Sequence, residues 1–175
     1  MKKLLSFFFT ILVISMASSQ EKINTYFSDN GSLSVSYGNY SFIINLYNDY
    51  EKALSSWNNS NILPIMPPIT TKVPRTGYIM PFIIFKTERN ETVNLTFDIK
   101  VLQPDNTFSI KDEYNDMRIA QRGVPRRIYF RSDALGSYYF PGSEYAVGKY
   151  QFHITIKNNG NALFMCVLEF ELLEE

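Results

Sequence analysis

Val93-Asn94-Leu95-Thr96-Phe97-Asp98-Ile99-Lys100-Val101 alternates apolar and polar residues without a break. Successive side chains on a strand point to opposite faces, so this stretch predicts a strand with one face in a core and the other in water. Downstream, Pro104-Asp105-Asn106 has turn chemistry and separates it from a second extended piece, Thr107 to Ile110, which makes a hairpin. The same alternation recurs on both sides. Leu33, Val35 and Tyr37 alternate with serines, Gly38-Asn39 offers a two-residue turn, and Tyr40, Phe42, Ile44 and Leu46 resume the pattern. Near the C-terminus Tyr150, Phe152, Ile154 and Ile156 share a face. The turn segment Asn158-Asn159-Gly160-Asn161 and an apolar run from Ala162 to Leu172 follow. Tyr78 to Phe85 is apolar on both faces, as a strand covered on two sides would be, and Pro81 in its middle calls for a bulge or an open edge.

One stretch competes as a helix. Asp49 can cap it, Tyr50, Ala53, Leu54 and Trp57 recur at helical spacing, and Asn58-Asn59-Ser60 end it. Between Ile62 and Pro74 stand Pro64, Pro67, Pro68 and Pro74, which predicts an extended connector. Its residues Ile62, Leu63, Ile65 and Met66, with Trp57, either form an exposed apolar patch or fold back over the end of the core. With about eight short strands and no long helix to cross between parallel neighbours, the pattern predicts an all-β, antiparallel sandwich with one short helix. Gly148-Lys149-Tyr150 favours the immunoglobulin-like version, because a tyrosine placed there can pin a corner between sheets through its hydroxyl.

The N-terminus has a different character. Lys2 and Lys3 precede an apolar run from Leu4 to Met16, and Ala17, Ser18 and Ser19 supply small residues. This is the layout of a cleavable export signal, and its apolar run of about 13 residues is shorter than the roughly 20 a spanning helix requires. The reading assigns residues 1–19 to a signal peptide and 20–175 to a single domain, exported to a periplasm or the extracellular space and not membrane-spanning after cleavage. Without residues 1–19 the chain holds 15 basic against 17 acidic residues, a balance that does not suit a nucleic-acid binder. Cys166 is the sole cysteine, so stability must come from packing without an intrachain disulfide; its place in an apolar strand predicts burial.

Several features together resemble short exported bacterial immunoglobulin-like β-sandwich proteins. They are, in order, Ala53-Leu54 before Trp57, Gly77-Tyr78 leading into Pro81-Phe82-Ile83-Ile84-Phe85-Lys86, the run Phe97 to Asp105, and the closing Gly148-Lys149-Tyr150 strand. The resemblance spans most of residues 20–175 and implies an immunoglobulin-like fold without implying a substrate. Members of that group often carry a cysteine pair after the strand equivalent to Phe85, where this chain has Thr87-Glu88-Arg89-Asn90.

Chemistry has few places to sit. A hydrolase triad, a zinc centre or a histidine acid-base pair would have to be built from His153 and Cys166 alone. By alternation His153 faces away from the core side and toward solvent. Two carboxylate clusters remain, Asp112-Glu113 with Asp116 and Glu169-Glu171 with Glu174-Glu175. A pair of carboxylates suffices for glycoside hydrolysis, but the first cluster reads as a turn-rich connection and the second as a solvated strand edge and tail. No calcium loop is present around Asp112 and Asp116, so neither a metal nor a cofactor is expected.

The densest cationic stretch is Arg118, Arg122, Arg126, Arg127 and Arg131. If Ile128 and Phe130 face inward on a strand, Arg127, Tyr129 and Arg131 face outward together, with Arg126 beside them. Such a row can grip phosphate or carboxylate groups bidentately, or it can simply protect a sheet edge. Asn30, Asn39, Asn58, Asn90 and Asn94 begin Asn-x-Ser/Thr sequences, which matter only in a glycosylating host. The functional expectation is a non-enzymatic exported binding or structural module. Its partner would be an anionic glycan, a lipid head group or an envelope protein. The alternatives are a carboxylate-based glycan-active enzyme and a self-assembling subunit that uses strand addition.

Overall fold

A computed structural model of the protein describes residues 23–49, 52, 55, 67–87, 92–110, 114–120, 127–130, 138–139 and 145–174. In chain order the strands are β1 (Asn24–Ser28), β2 (Ser32–Tyr37), β3 (Tyr40–Tyr47), β4 (Lys72–Pro74), β5 (Tyr78–Thr87) and β6 (Thr92–Leu102). They continue as β7 (Phe108–Ile110), β8 (Tyr114–Ala120), β9 (Arg127–Phe130), β10 (Tyr138–Tyr139), β11 (Gly148–Asn158) and β12 (Asn161–Leu173). Two sheets result. One runs β1-β12-β11-β6-β7 with β4 added on β12 and β8 on β6; the other runs β10-β5-β3-β2 with β9 added on β5.

The three predicted hairpins form with the expected turns. Gly38 takes φ 57° between the paired Tyr37 and Tyr40, the left-handed first turn position that glycine occupies without cost. Asn159 at φ 50° and Gly160 at φ 79° join β11 to β12, a turn with both central residues left-handed, as Asn-Gly favours. Between β6 and β7 the Asp105 carboxylate accepts from the Thr107 amide at 2.9 Å and its hydroxyl at 2.7 Å, and so fixes the bend after Pro104.

Alternation becomes burial as predicted: Val93, Leu95, Phe97, Ile99 and Val101 on β6 are buried, and so are Tyr150, Phe152, Ile154 and Ile156 on β11. These side chains meet Phe42, Ile44, Phe85 and others from the second sheet in a single core. Phe42 on β3 and Phe164 on β12 lie 5.0 Å apart in an edge-to-face contact that crosses between the sheets, and Tyr37 reaches Phe164 from β2 at 6.0 Å. Cys166 is buried in the same layer. Tyr150 donates its hydroxyl to the Ala146 carbonyl at 2.7 Å, four residues upstream, which is the corner bond anticipated from Gly148-Lys149-Tyr150.

Pro81 is accommodated by an interruption in the ladder. The amide and carbonyl of Leu46, its partner on β3, bond away from β5, to the Gly31 carbonyl (2.8 Å) and the Thr70 amide (3.0 Å). Leu46 and Pro81 are therefore a non-hydrogen-bonded pair, and the Pro81 nitrogen faces the other side of β5. Among the described residues, β10 pairs there with Tyr78 and Ile79 and β9 with Ile83 to Lys86, so the missing donor falls between these two pairings.

The structure departs from the sequence reading in two respects. The first sheet is mixed, because β1 and β4 both run parallel to β12. Each is joined to β12 through chain that visits the other sheet, and that excursion replaces the helical crossover a parallel pair needs. Twelve short and long strands are described instead of about eight. One of the extra strands is β8, where a turn-rich connection was expected: pairing with β6 imposes extended backbone on a stretch with no alternation of its own. Of the expected helix, Lys52 and Ser55 are helical, and the Lys52 amide donates to the Asp49 cap at 3.1 Å. Residues 50–51, 53–54 and 56–66, including Trp57, lie outside the described residues; of the proline connector, Pro67 and Val73 are buried.

Candidate functional site

The two side chains most suited to nucleophilic or acid-base chemistry are both engaged in structure. Burial pushes the Cys166 thiol up to about 12, so it stays protonated and unreactive in the folded protein. His153 points away from the core, as alternation required, but it is half-buried rather than fully exposed. Phe108 covers it edge-on with 5.1 Å between ring centroids, and its Nε2 lies 3.1 Å from the Gln151 side-chain oxygen. Burial first, and then the neighbouring Lys100 charge, lower its pKa, so it is neutral near pH 7.

The described carboxylates of the C-terminal cluster, Glu169, Glu171 and Glu174, each have a cation. Glu169 meets Lys149 at 2.7 Å, Glu171 meets Lys72 at 3.1 Å, and Glu174 meets Arg75 at 2.9 Å. The hydrogen bond from Lys149 to Glu169, then the attraction of that same carboxylate, raises the lysine pKa. Asp112 and Glu113 lie outside the described residues. Asp116 falls on β8, of which the backbone alone is described. No group of three or more metal-ligating side chains occurs among the described residues.

A polar cleft of about 330 Å³ opens where β1 ends opposite Leu168 and β4 begins opposite Glu171. Asp29, Thr71, Lys72, Lys149, Glu169, Phe170 and Glu171 line it. Sequence reasoning could not find this cleft, because it exists only where two strands remote in the chain meet end to end along β12. Its lysines are already matched to glutamates, so it offers a ligand exchange of partners rather than unmatched charge.

Of the arginine row, Arg127 and Tyr129 lie on β9, paired with Lys86 and Ile84 of β5. Arg126 and Arg131 lie outside the described residues.

The backbone itself presents a further surface. On β3 the groups of Leu46 face the β2 side, and alternation sends those of Ile44, Phe42 and Tyr40 the same way. Their partners Leu33, Val35 and Tyr37 bond inward to β3, and Ser32, Ser34 and Ser36 turn amide and carbonyl outward. Ser32 donates its amide to the Asn30 side chain at 3.1 Å. Ser34 and Ser36 are exposed, and among the described residues no strand pairs with this side of β2.

No family profile matches the chain, and no curated protein matches it in sequence. Among solved structures, it aligns with the alkylpurine DNA glycosylase AlkC of Pseudomonas fluorescens, bound to DNA containing an abasic site analog. The identity is 15% and the TM-score 0.33, over 59% of this chain and 27% of that one. The chain thus spans about a quarter of that protein, and a similarity at this level carries no functional argument. No helix among the described residues is long and apolar enough to cross a membrane.

Proposed function

We propose that this protein is a non-enzymatic, exported binding or structural module with an immunoglobulin-like sandwich, and that it engages its partner by strand addition at β2. The observation that carries this reading is the open edge. Four outward backbone groups, on Ser34 and Ser36, stand in a hairpin with no charged residue from Gly31 to Asn48. Natural sheets blunt such edges with lysine, proline or a bulge, and β2 has none of these. Export rests on the Lys2-Lys3 start, the apolar run to Met16 and the small residues at 17–19. The immunoglobulin-like assignment rests on the Tyr150 hydroxyl bond to Ala146 across a core shared by two sheets. The engaged states of His153 and Cys166 support the absence of catalysis.

Hydrogen exchange tests the edge. The Ser34 and Ser36 amides should exchange quickly in dilute protein and become protected when an extended peptide of sequence Ser32–Tyr37 is added. Unchanged exchange at both amides under saturating peptide would remove strand addition at this site.

A second reading keeps the arginine row as an anion contact, for a glycan or a lipid head group. One register fact favours it: Arg127 stands opposite Lys86 on an antiparallel pair, which puts two cationic residues at facing positions of one sheet. Changing Arg126, Arg127 and Arg131 to glutamine should abolish salt-sensitive retention on anionic vesicles or sulfated glycan, and retention equal to the parent protein's would discard this reading.

A further inference from the structure

We infer that the strand added at β2 is the β2 of a second copy of this chain, antiparallel, with the two-fold axis at Val35. The inference rests on strand addition at this edge and deepens it by naming the partner. The register follows from which backbone groups are free. Ser32 has given its amide to Asn30, so the outward ladder offers both groups of Ser34 and of Ser36. A two-fold at Val35 sets Ser34 opposite Ser36 of the second copy, and Ser36 opposite its Ser34. All four groups on each edge are then satisfied in two hydrogen-bonded pairs. An axis at Ser34 or at Ser36 would leave one of those residues facing Ser32 or Gly38.

The side chains agree with the same register. Leu33, Val35 and Tyr37 share the inner face of β2; Leu33 is half-buried and Tyr37 is 37% exposed. Around Val35, Leu33 of one copy stands opposite Tyr37 of the other, in non-hydrogen-bonded pairs where side chains approach most closely. Two aliphatic-aromatic pairs thus flank a valine pair, and both partly exposed apolar groups gain cover. On the outer face the pairs are serine on serine. With no charge from Gly31 to Asn48, two copies of the hairpin meet without repulsion. The five-stranded sheet becomes a continuous ten-stranded one.

Sedimentation of residues 20–175 over a wide concentration range should show a reversible monomer-dimer equilibrium. Ser36→Pro removes one outward amide while the inward ladder of β2 is unaffected, so it should weaken the dimer at least about tenfold and leave the monomer folded. Should the proline variant not fold, Ser34→Lys with Ser36→Lys places repelling charges on both edges and should act alike. The Ser34→Cys/Ser36→Cys double variant should form a reducible dimer under mild oxidant. Either single variant should not, because opposed positions lie in range of a disulfide only in the 34-to-36 pairing. Cys166 is buried and stays out of this reaction. A protein that sediments as monomer at every concentration, or dimers indifferent to both edge variants, would overturn the second copy as partner. If such a monomer still protects Ser34 and Ser36 when the β2 peptide is added, strand addition survives and the partner is another chain. If it does not, both ideas fail together.

Discussion

Cys166 shows how one residue's role is decided by its neighbours. In sequence it is a lone thiol in a chain that begins like an exported protein, a candidate for pairing or modification. In the fold it is a small apolar filler beneath two sheets, with its pKa raised from 9.0 to about 12 by burial alone. Because the folded thiol holds its proton more tightly than the unfolded one, this contribution to stability is fully present below pH 9. It is lost as pH rises toward 12, by up to about 1.4 kcal/mol per pH unit. Tyr47 and Tyr150, also raised by burial, add to the same alkaline slope. Urea midpoints measured from pH 8 to 11 should therefore decline more steeply for the native protein than for Cys166→Ala, and equal slopes would contradict the assigned burial. Thiol reagents should label Cys166 only after denaturation.

Elements in this protein follow their local sequence closely where a turn specifies them. The β11-β12 hairpin depends on Asn159-Gly160, and a Cβ added to Gly160 would meet no atom within 4 Å. Gly160→Ala is thus a clean measure of backbone strain at φ 79°, with an expected loss of about 1–2 kcal/mol in chemical denaturation and no change in the core. A cost near zero would mean the turn relaxes to another type. The three hairpins were legible from Gly38, Pro104-Asp105-Asn106 and Asn159-Gly160 because a tight turn needs particular residues at fixed offsets. The strands β1, β4, β8 and β10 were not predicted as separate elements. Most are short or weakly alternating, and partners far away in sequence hold them extended. Among the described residues the same cause divides one edge of β5, β6 and β12 between two neighbours, with Pro81 between β10 and β9 on β5 and the cleft beside Glu169 on β12.

At the scale of the whole molecule the two sheets are held by aromatic contacts that the chain order hides. Phe164 touches Tyr26, Tyr37 and Phe42, so it joins β12 to β1 in its own sheet and to β2 and β3 in the other. Phe164→Ala should cost about 3–5 kcal/mol, at the large end for a core truncation, and should loosen β2 against its neighbours. Thermal denaturation and exchange of the Val35 amide would record both effects. A loss below about 1 kcal/mol would show that the sheets close over the cavity.

Sequence alone determined what is local: alternation set the buried face of each long strand, turn residues placed the hairpins, and the counts of His and Cys narrowed the chemistry. It also located Tyr150 as a corner residue and Cys166 as a core one. Tertiary structure decided which edges are shared and which stay open, because pairing depends on distant strands competing for the same backbone groups. That competition made the first sheet mixed, covered His153 with Phe108, matched Glu169, Glu171 and Glu174 to separate cations, and left Ser34 and Ser36 of β2 facing outward.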